Sequence, residues 1–181
     1  MSEETQTADH AVVGYLKELA KRQDRAALAH LRRGLGKRPG EAMGMYPYIG
    51  RFISEKTNQS YDRAVFLTSA LFADYWEAPS NAGNLGQSVR RLFDETKSDS
   101  IEKRFVALLD AEAEDLHYYL RQIVGLLKSK SIPVNWNELF KHIQGWDHPD
   151  GYVQKKWARS FWGSTDTNKS QNTNETGEES Q

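Results

Sequence analysis

A ten-residue stretch, LRRGLGKRPG, combines basic residues with three glycines and a proline at the end of a predicted helix. Glycine and proline end helices, and glycine lets backbone N–H groups approach a ligand closely. Arginine offers a planar fork of donors that suits the oxygens of a phosphate group. We interpret the stretch as a phosphate-contacting corner, with a solvated helix end as the alternative. Its basic residues are Arg32, Arg33, Lys37 and Arg38.

A second polar motif, WDHPD, places Asp147, His148 and Asp150 close together in the sequence. A histidine flanked by carboxylates can bind a metal ion or act as a base. Proline interrupts this turn, however, so the three side chains need not meet around one ligand. The sequence also contains no metalloprotease, P-loop, serine-hydrolase or EF-hand motif. We expect a polar turn in which Asp150 caps the last helix, with no catalytic residue, no metal and no cofactor.

Helical spacing aligns further basic residues into stripes. At 100° per residue, His117, Arg121 and Lys128 fall within about 40° of one another on one helix face. A charged stripe is usually only a solvated face. The stripes contain few interleaved acids, which favours a surface that follows a nucleic-acid backbone. The candidates in these stripes are Arg90, Arg91, Arg104, Arg121, Lys128, Lys156 and Arg159.

The elements that carry these residues are helical almost throughout, since no segment alternates at period 2. Asp24, Asn84 and Asn135 precede apolar-periodic runs as N-caps, and Asp99 with Glu102 resembles a capping box. The sequence predicts an all-α protein, a compact helical bundle of about eight to nine helices in two small lobes. The predicted helices lie at about 11–22, 25–35, 61–76, 84–93, 101–109, 114–128, 135–143 and 151–162.

Composition divides the chain into a body and two acidic ends. The whole chain has a net charge of −1, but the body at 11–162 carries 23 basic and 18 acidic residues, a net charge of +5. Such a charge permits nucleic-acid binding without demanding it. We expect a disordered acidic N-terminus at 1–10, helical lobes at 11–97 and 98–162, and a disordered tail at 163–181, which lacks any large apolar residue.

Other features of the composition indicate the cellular compartment in which the protein acts. The chain contains no cysteine, which excludes disulfides and thiolate chemistry. No apolar run approaches the ~20 residues that span a bilayer. The N-terminus is acidic and polar, unlike a secretory signal. We expect a cytoplasmic protein that does not bind membranes.

Tryptophans crowd the C-terminal third of the chain. Indole rings can stack on unpaired bases, but these positions fall on apolar helix faces. Core packing is therefore the better interpretation. The residues concerned are Trp136, Trp146, Trp157 and Trp162.

Four blocks of sequence together carry a resemblance to one family. They are LRRGLGKRPGEAMGMYPYI, NLGQSVRRLF, IEKRFVALLDAEAEDLHYYLRQIVGLLKSKSIPVNW and WDHPDGYVQKKWARSFW, in that order. Their order and spacing resemble CasB, the small-subunit family of the type I-E CRISPR surveillance complex, Cascade. The likeness covers residues 28–162 and excludes both acidic ends.

The resemblance implies an all-α, non-enzymatic subunit that is present as a pair of copies and assembles with the backbone, large and guide-processing subunits of Cascade. Such a subunit helps to hold the single-stranded target and displaced DNA beside the guide RNA–DNA hybrid. It reads backbone and not sequence, because guide pairing carries the specificity. By matching position, the resemblance assigns DNA contacts to Arg32, Arg33, Arg90, Arg91, Arg104, Arg121, Lys156 and Arg159. The acidic run at 111–115 predicts that the loop there faces something other than DNA.

One alternative comes from another functional class. The modest charge of the body and the aromatic segment MYPYI are compatible with a helical adaptor that docks protein partners and does not contact nucleic acid. The two readings differ in salt dependence, since only a backbone binder loses DNA affinity steeply as salt rises.

Overall fold

The protein is represented by a computed structural model that describes residues 9–78 and 83–163. Within those ranges the regular structure is helical and no strand occurs. The all-α prediction is confirmed, and so is the predicted number of helices. The α-helices are α1 Ala11–Lys21, α2 Arg25–Arg32, α3 Tyr46–Ile49, α4 Gln59–Asp74, α5 Leu85–Thr96, α6 Asp99–Leu109, α7 Leu116–Ser129, α8 Trp136–Gln144 and α9 Tyr152–Trp162. Three short 3-10 helices occupy Met43–Met45, Gly50–Phe52 and Ala113–Asp115.

Three predicted N-caps are confirmed. Asp24 accepts a hydrogen bond from the backbone of the third helical residue, and Asn135 does the same at α8, both at about 3 Å. Asn84 forms a full capping box with Gln87, each side chain bonding to the other's backbone N–H. These short polar side chains satisfy donors that a helix start leaves unpaired.

Two other predicted caps are wrong. Asp99 is already the first residue of α6, and Ser98 precedes it without a side-chain capping bond. At α9 the N-cap is Gly151 and not Asp150. Gly151 has φ of 55°, in the left-handed region that glycine enters without steric penalty. The chain therefore enters α9 through a backbone turn, and the neighbouring carboxylate does not cap the helix.

Helix α4 is the centre of the fold, because every residue from Arg63 to Ala73 is buried. It packs against α1, α2 and α8, while α5 packs against α9. At Gly86 of α5, an added Cβ would collide with the backbone of Trp157 in α9, so glycine permits this close approach. Helices from both predicted lobes thus share one hydrophobic core. A division at 97/98 stays a prediction.

Two residues assigned to a disordered N-terminus belong to the fold. His10 caps α1 through its ring, and its backbone N–H donates to Asn137 at 2.9 Å. Asp9 pairs with Lys17 at 2.8 Å and accepts from Asn137. The prediction of disorder at 1–10 is wrong for these two. The rest of that segment, and the predicted tail from residue 164, lie outside the described residues.

The tryptophans follow the core interpretation with one exception. Trp136, Trp146 and Trp157 are at most 5% exposed. Trp162 is 38% exposed, although its ring contacts Phe105 and its indole N–H donates to a carboxylate of α6. Across the described ranges, no helix has the length and apolarity needed to cross a membrane.

Candidate nucleic-acid interface

The basic loop leaves α2 in a series of tight turns. Arg33 is the C-cap of α2, and backbone bonds from Gly34 to Leu31 and from Lys37 to Gly34 continue the turning. Gly36 has φ of 71°, which a side chain would strain. The glycines therefore reverse the chain while Arg33 and Lys37 remain exposed to solvent.

Arg121 of α7 lies directly over this loop. A Cβ added at Gly36 would be 2.6 Å from Nη1 of Arg121, so the absence of a side chain makes room for the guanidinium. Arg121 itself is exposed. Arg121, which is 85 positions from Gly36 in the sequence, thus places its charge beside the basic loop.

An acidic residue, Asp74 at the end of α4, sits between two of the predicted contacts. Its Oδ1 lies 3.1 Å from Nζ of Lys128 and 4.0 Å from Nε of Arg32. Nε of Arg32 also donates to the Ala73 carbonyl at 3.3 Å. The expectation of few interleaved acids is wrong here, because the acid comes from a different helix.

Six of the predicted residues are exposed in this region, and we call them the loop–α7 patch; the contacts above involve three of them, Arg32, Arg121 and Lys128. Its members come from the end of α2, the following loop and the outer face of α7. Arg104 of α6 borders the patch, since its Nη1 donates to Gln122 of α7 at 3.5 Å. The patch consists of Arg32, Arg33, Lys37, Arg38, Arg121 and Lys128.

Arg90 and Arg91 of α5 lie elsewhere and differ from each other. Nε of Arg90 pairs with Asp94 at 3.0 Å, and Nη1 donates to the Phe161 carbonyl at 3.1 Å. The hydrogen bond from Arg90 lowers the pKa of Asp94. Arg90 therefore fastens α5 to the end of α9, whereas Arg91 is exposed.

The predicted contacts of α9 also include an acid. Nζ of Lys156 lies 3.4 Å from Glu138 of α8, which also pairs with Lys141. Burial opposes ionisation of Glu138, but the positive charges of His142 in its protonated form, Lys156 and Lys141 outweigh it and lower the pKa of Glu138. Arg159 is exposed one turn further along. Lys141 was not among the contacts predicted from sequence, because α8 was recognised from its apolar periodicity and not from its charges.

His142 is the one buried histidine of the described residues and serves the core. Trp157 donates its indole N–H to Nδ1 at 3.0 Å, so that nitrogen carries no proton. Burial, reinforced by Lys156 and Lys141 and opposed by Glu138, lowers the pKa of His142 to about 4. A neutral ring held by packing has a structural role and is a poor general base near neutral pH.

The WDHPD turn has structural contacts. Asp147 pairs with buried Arg63 at 2.7 Å. The ring of His148 accepts the Asp150 backbone N–H at 3.2 Å, which closes the turn. Among residues 9–78 and 83–163, no three histidine or acidic side chains are arranged to hold a metal ion.

A cavity of about 580 Å³ opens beside the basic loop, and sequence reasoning missed it. Of the predicted nucleic-acid contacts, Arg38 lines this cavity. Arg63 of α4, which was not predicted as a contact, lines it as well. Arg63 is 5% exposed in a helix that reads as apolar. Its partner Asp147 is 84 residues away, so no local pattern could have revealed the pairing.

Fold and surface together define a class: a small all-α protein with a cluster of exposed basic residues at the end of α2, the following loop and α7. The family described as CRISPR-associated protein Cse2 matches residues 27–162, and the chain belongs to that family. The resemblance inferred from the four sequence blocks is thereby confirmed at the level of family.

Individual relatives agree with this assignment. A CRISPR-associated protein Cse2 from Thermus thermophilus is 31% identical over 142 residues, which is 77% of this chain and 80% of the relative. The crystal structure of M. ruber CasB is 31% identical, covers 86% of this chain and 94% of its own, and superposes with a TM-score of 0.71. A chain of a CRISPR RNA-guided surveillance complex shares the fold at 23% identity, with a TM-score of 0.70 over 83% of this chain and 89% of its own.

Proposed function

We propose that this chain is a non-enzymatic small subunit of a CRISPR RNA-guided surveillance complex and holds the target and displaced DNA strands through their phosphates. Family membership supports the first part of the proposal. The observation that carries the second part is the loop–α7 patch, in which Arg121 lies over Gly36 beside the exposed basic loop. The planar guanidinium groups of arginines can donate two hydrogen bonds at once to the oxygens of a phosphate.

The mechanism is electrostatic. Cations that neutralise phosphates release the counterions condensed on the DNA, which favours binding without reading bases. Pairing between guide and target supplies sequence specificity, so the subunit stabilises the unwound R-loop by retaining both separated strands. Arg33, Lys37 and Arg121 are exposed and are the members that we expect to contribute most.

The partners follow from the same proposal. They are the other subunits of the complex, a second copy of this chain, single-stranded target and displaced DNA, and the guide RNA–DNA hybrid. The site of action is cytoplasmic, and no cofactor, metal or membrane takes part.

The experiment replaces Arg32, Arg33, Arg121 and Arg159 by alanine and compares unwinding of target DNA by the assembled complex across a salt series. We expect normal assembly, unchanged choice of target and a lower yield of unwound DNA. The log-affinity versus log-salt slope should flatten by about 0.7 per lost contact on a single strand. Circular dichroism checks that the helices persist.

A matched control removes four basic residues outside the patch. Lys21, Arg22, Arg25 and Lys56 are all exposed and give the same change in net charge when replaced by alanine. This control should unwind DNA nearly as well as wild type. Equal losses in both variants would mean that net charge alone matters and that the patch has no special role.

The adaptor remains the second candidate, favoured by one observation. Asp74 and Glu138 neutralise part of the basic surface in which the sequence predicted few interleaved acids. A quadruple variant that assembles and unwinds DNA with wild-type efficiency and salt slope would establish the adaptor in place of the phosphate-binding function.

A further inference from the structure

The cavity beside the basic loop has a volume typical of sites for small organic groups. Its walls come from the end of the basic loop, α3, the start of α4 and the segment before α7. The loop that carries Arg38 therefore has an exposed outer side and an inner side that faces a cavity.

One side of the cavity is aromatic and apolar. Tyr46 and Phe66 both line it, with ring centroids 5.3 Å apart in an edge-to-face arrangement. Phe66 is buried, while Tyr46 is 38% exposed. Gly40 also lines the cavity, and a Cβ added there would lie 3.4 Å from the Tyr46 hydroxyl. The missing side chain preserves this wall, which suits a flat ring.

The polar lining combines donors with acceptors. Arg63 is 5% exposed and uses Nη2 for Asp147 and for the Ile143 carbonyl. Its Nε has no hydrogen-bond partner in the described part of the chain, which is unfavourable for a buried donor. Asp62 accepts from the Thr57 hydroxyl through Oδ1, which occupies one acceptor position of the carboxylate and leaves Oδ2 and the second lone pair of Oδ1 for ligand donors.

The charge of the lining selects a neutral ligand. Arg38 and Arg63 line the cavity together with Asp62 and Glu114, and Arg63 is already paired with Asp147, so a phosphate inside the cavity would meet two carboxylates. A basic side chain from a protein would meet two guanidinium groups. A neutral heterocycle with both donors and acceptors has no such conflict.

Resting on the proposed function, we infer that this cavity binds an unpaired guanine base extruded from a strand whose phosphate contacts the basic loop. Guanine presents two adjacent donors, N1–H and N2–H₂, which one carboxylate can accept together, and its O6 and N7 accept from arginine. Adenine and cytosine place an acceptor next to their amino group and would repel the carboxylate. The acidic run at 111–115 was predicted to face something other than DNA, and this inference departs from that prediction at Glu114, whose carboxylate repels a phosphate but can accept from the donor edge of a base.

The test measures binding of the full chain to labelled oligo-dT strands that differ at one central position, which is guanine, adenine, cytosine or an abasic residue. All strands carry the same phosphates. We expect the guanine strand to bind at least about fivefold more tightly than the adenine, cytosine and abasic strands. Asp62→Asn should abolish this preference and leave binding of the abasic strand unchanged. Asp99→Asn, an equal change of charge at an exposed residue, should leave the preference intact.

The failures are distinguishable. Equal, salt-sensitive binding of all four strands by wild type would overturn the base site and leave the phosphate contacts standing. Absence of binding to every strand would overturn both. A third outcome is that wild type binds all four strands equally and that the Tyr46→Ala variant fails to join the surveillance complex. This outcome would assign the cavity to a protein side chain and would also overturn the guanine site.

Discussion

Asp74 offers a way to increase DNA binding by removing a charge. Replacing it by asparagine keeps the size of the side chain and removes the anion that lies 3.1 Å from Lys128 and 4.0 Å from Arg32. If the loop–α7 patch contacts phosphates, Asp74 competes with DNA for these two cations. Asp74→Asn should therefore strengthen binding.

The size of the gain follows from the geometry. At these separations each pair is worth about 1 kcal/mol in water, and exposure of nearly half of each basic side chain reduces the net value. We expect a total gain of about 1 kcal/mol in DNA affinity, which is about fivefold at low salt. Two additional phosphate contacts would steepen the salt slope by up to about 1.4. The free energy of unfolding should fall by less than about 1 kcal/mol.

The assay is fluorescence anisotropy of a labelled single strand titrated with the full chain across a salt series. Asp110→Asn is the control, because Asp110 is an exposed acidic residue outside the loop–α7 patch and its replacement changes the net charge equally. The gain should be confined to Asp74→Asn and should shrink as salt screens the surface. Equal affinities for Asp74→Asn, the control and wild type would refute the reasoning and make the patch a solvated face.

Two further predictions concern the loop and the core. Gly36→Ala should destabilise the fold by about 1–2 kcal/mol because φ at this position is 71°, and it should weaken DNA binding because the new Cβ would displace Arg121. Chemical denaturation measures the loss of stability, and fluorescence anisotropy measures the loss of DNA affinity. Wild-type values for both quantities would contradict the prediction. Acidification should destabilise the chain between about pH 6.5 and 4, since the unfolded His142 binds its proton first while the folded pKa is about 4. The shift of the His142 pKa corresponds to a loss of about 3 kcal/mol in the free energy of unfolding. His142→Gln should remove the His142 part of this loss and retain the losses due to His10, whose pKa is lowered by burial, and to the carboxylates whose pKa values the fold lowers. A pH profile of stability identical to that of wild type would contradict the assignment.

Local features of the fold were predictable from sequence, because their causes are local. Asn84 and Gln87 are three residues apart and form the capping box that their types indicate. Asp99 and Asp150 failed as caps because each stands beside a residue that takes the cap position instead. Propensity alone does not decide between adjacent candidates.

The candidate site was predictable only in part. The exposed arginines of the loop follow from a glycine-rich helix end, but the position of Arg121 over the loop depends on how α7 packs. The pairing of Lys128 with Asp74 spans 54 residues, and that of Arg63 with Asp147 spans 84. Helical periodicity assigns a residue to a face and does not identify which acid from another helix will meet it.

The central claim is that the loop–α7 patch contacts phosphates, and the salt dependence of single-strand binding tests it most directly. The measurement compares wild type with the double variant Arg33→Ala, Arg121→Ala, using strands of unrelated sequence. Loss of two phosphate contacts predicts a slope flatter by about 1.4 and a similar loss of affinity for every sequence. A slope equal to that of wild type, in a variant whose helices persist, would contradict the claim.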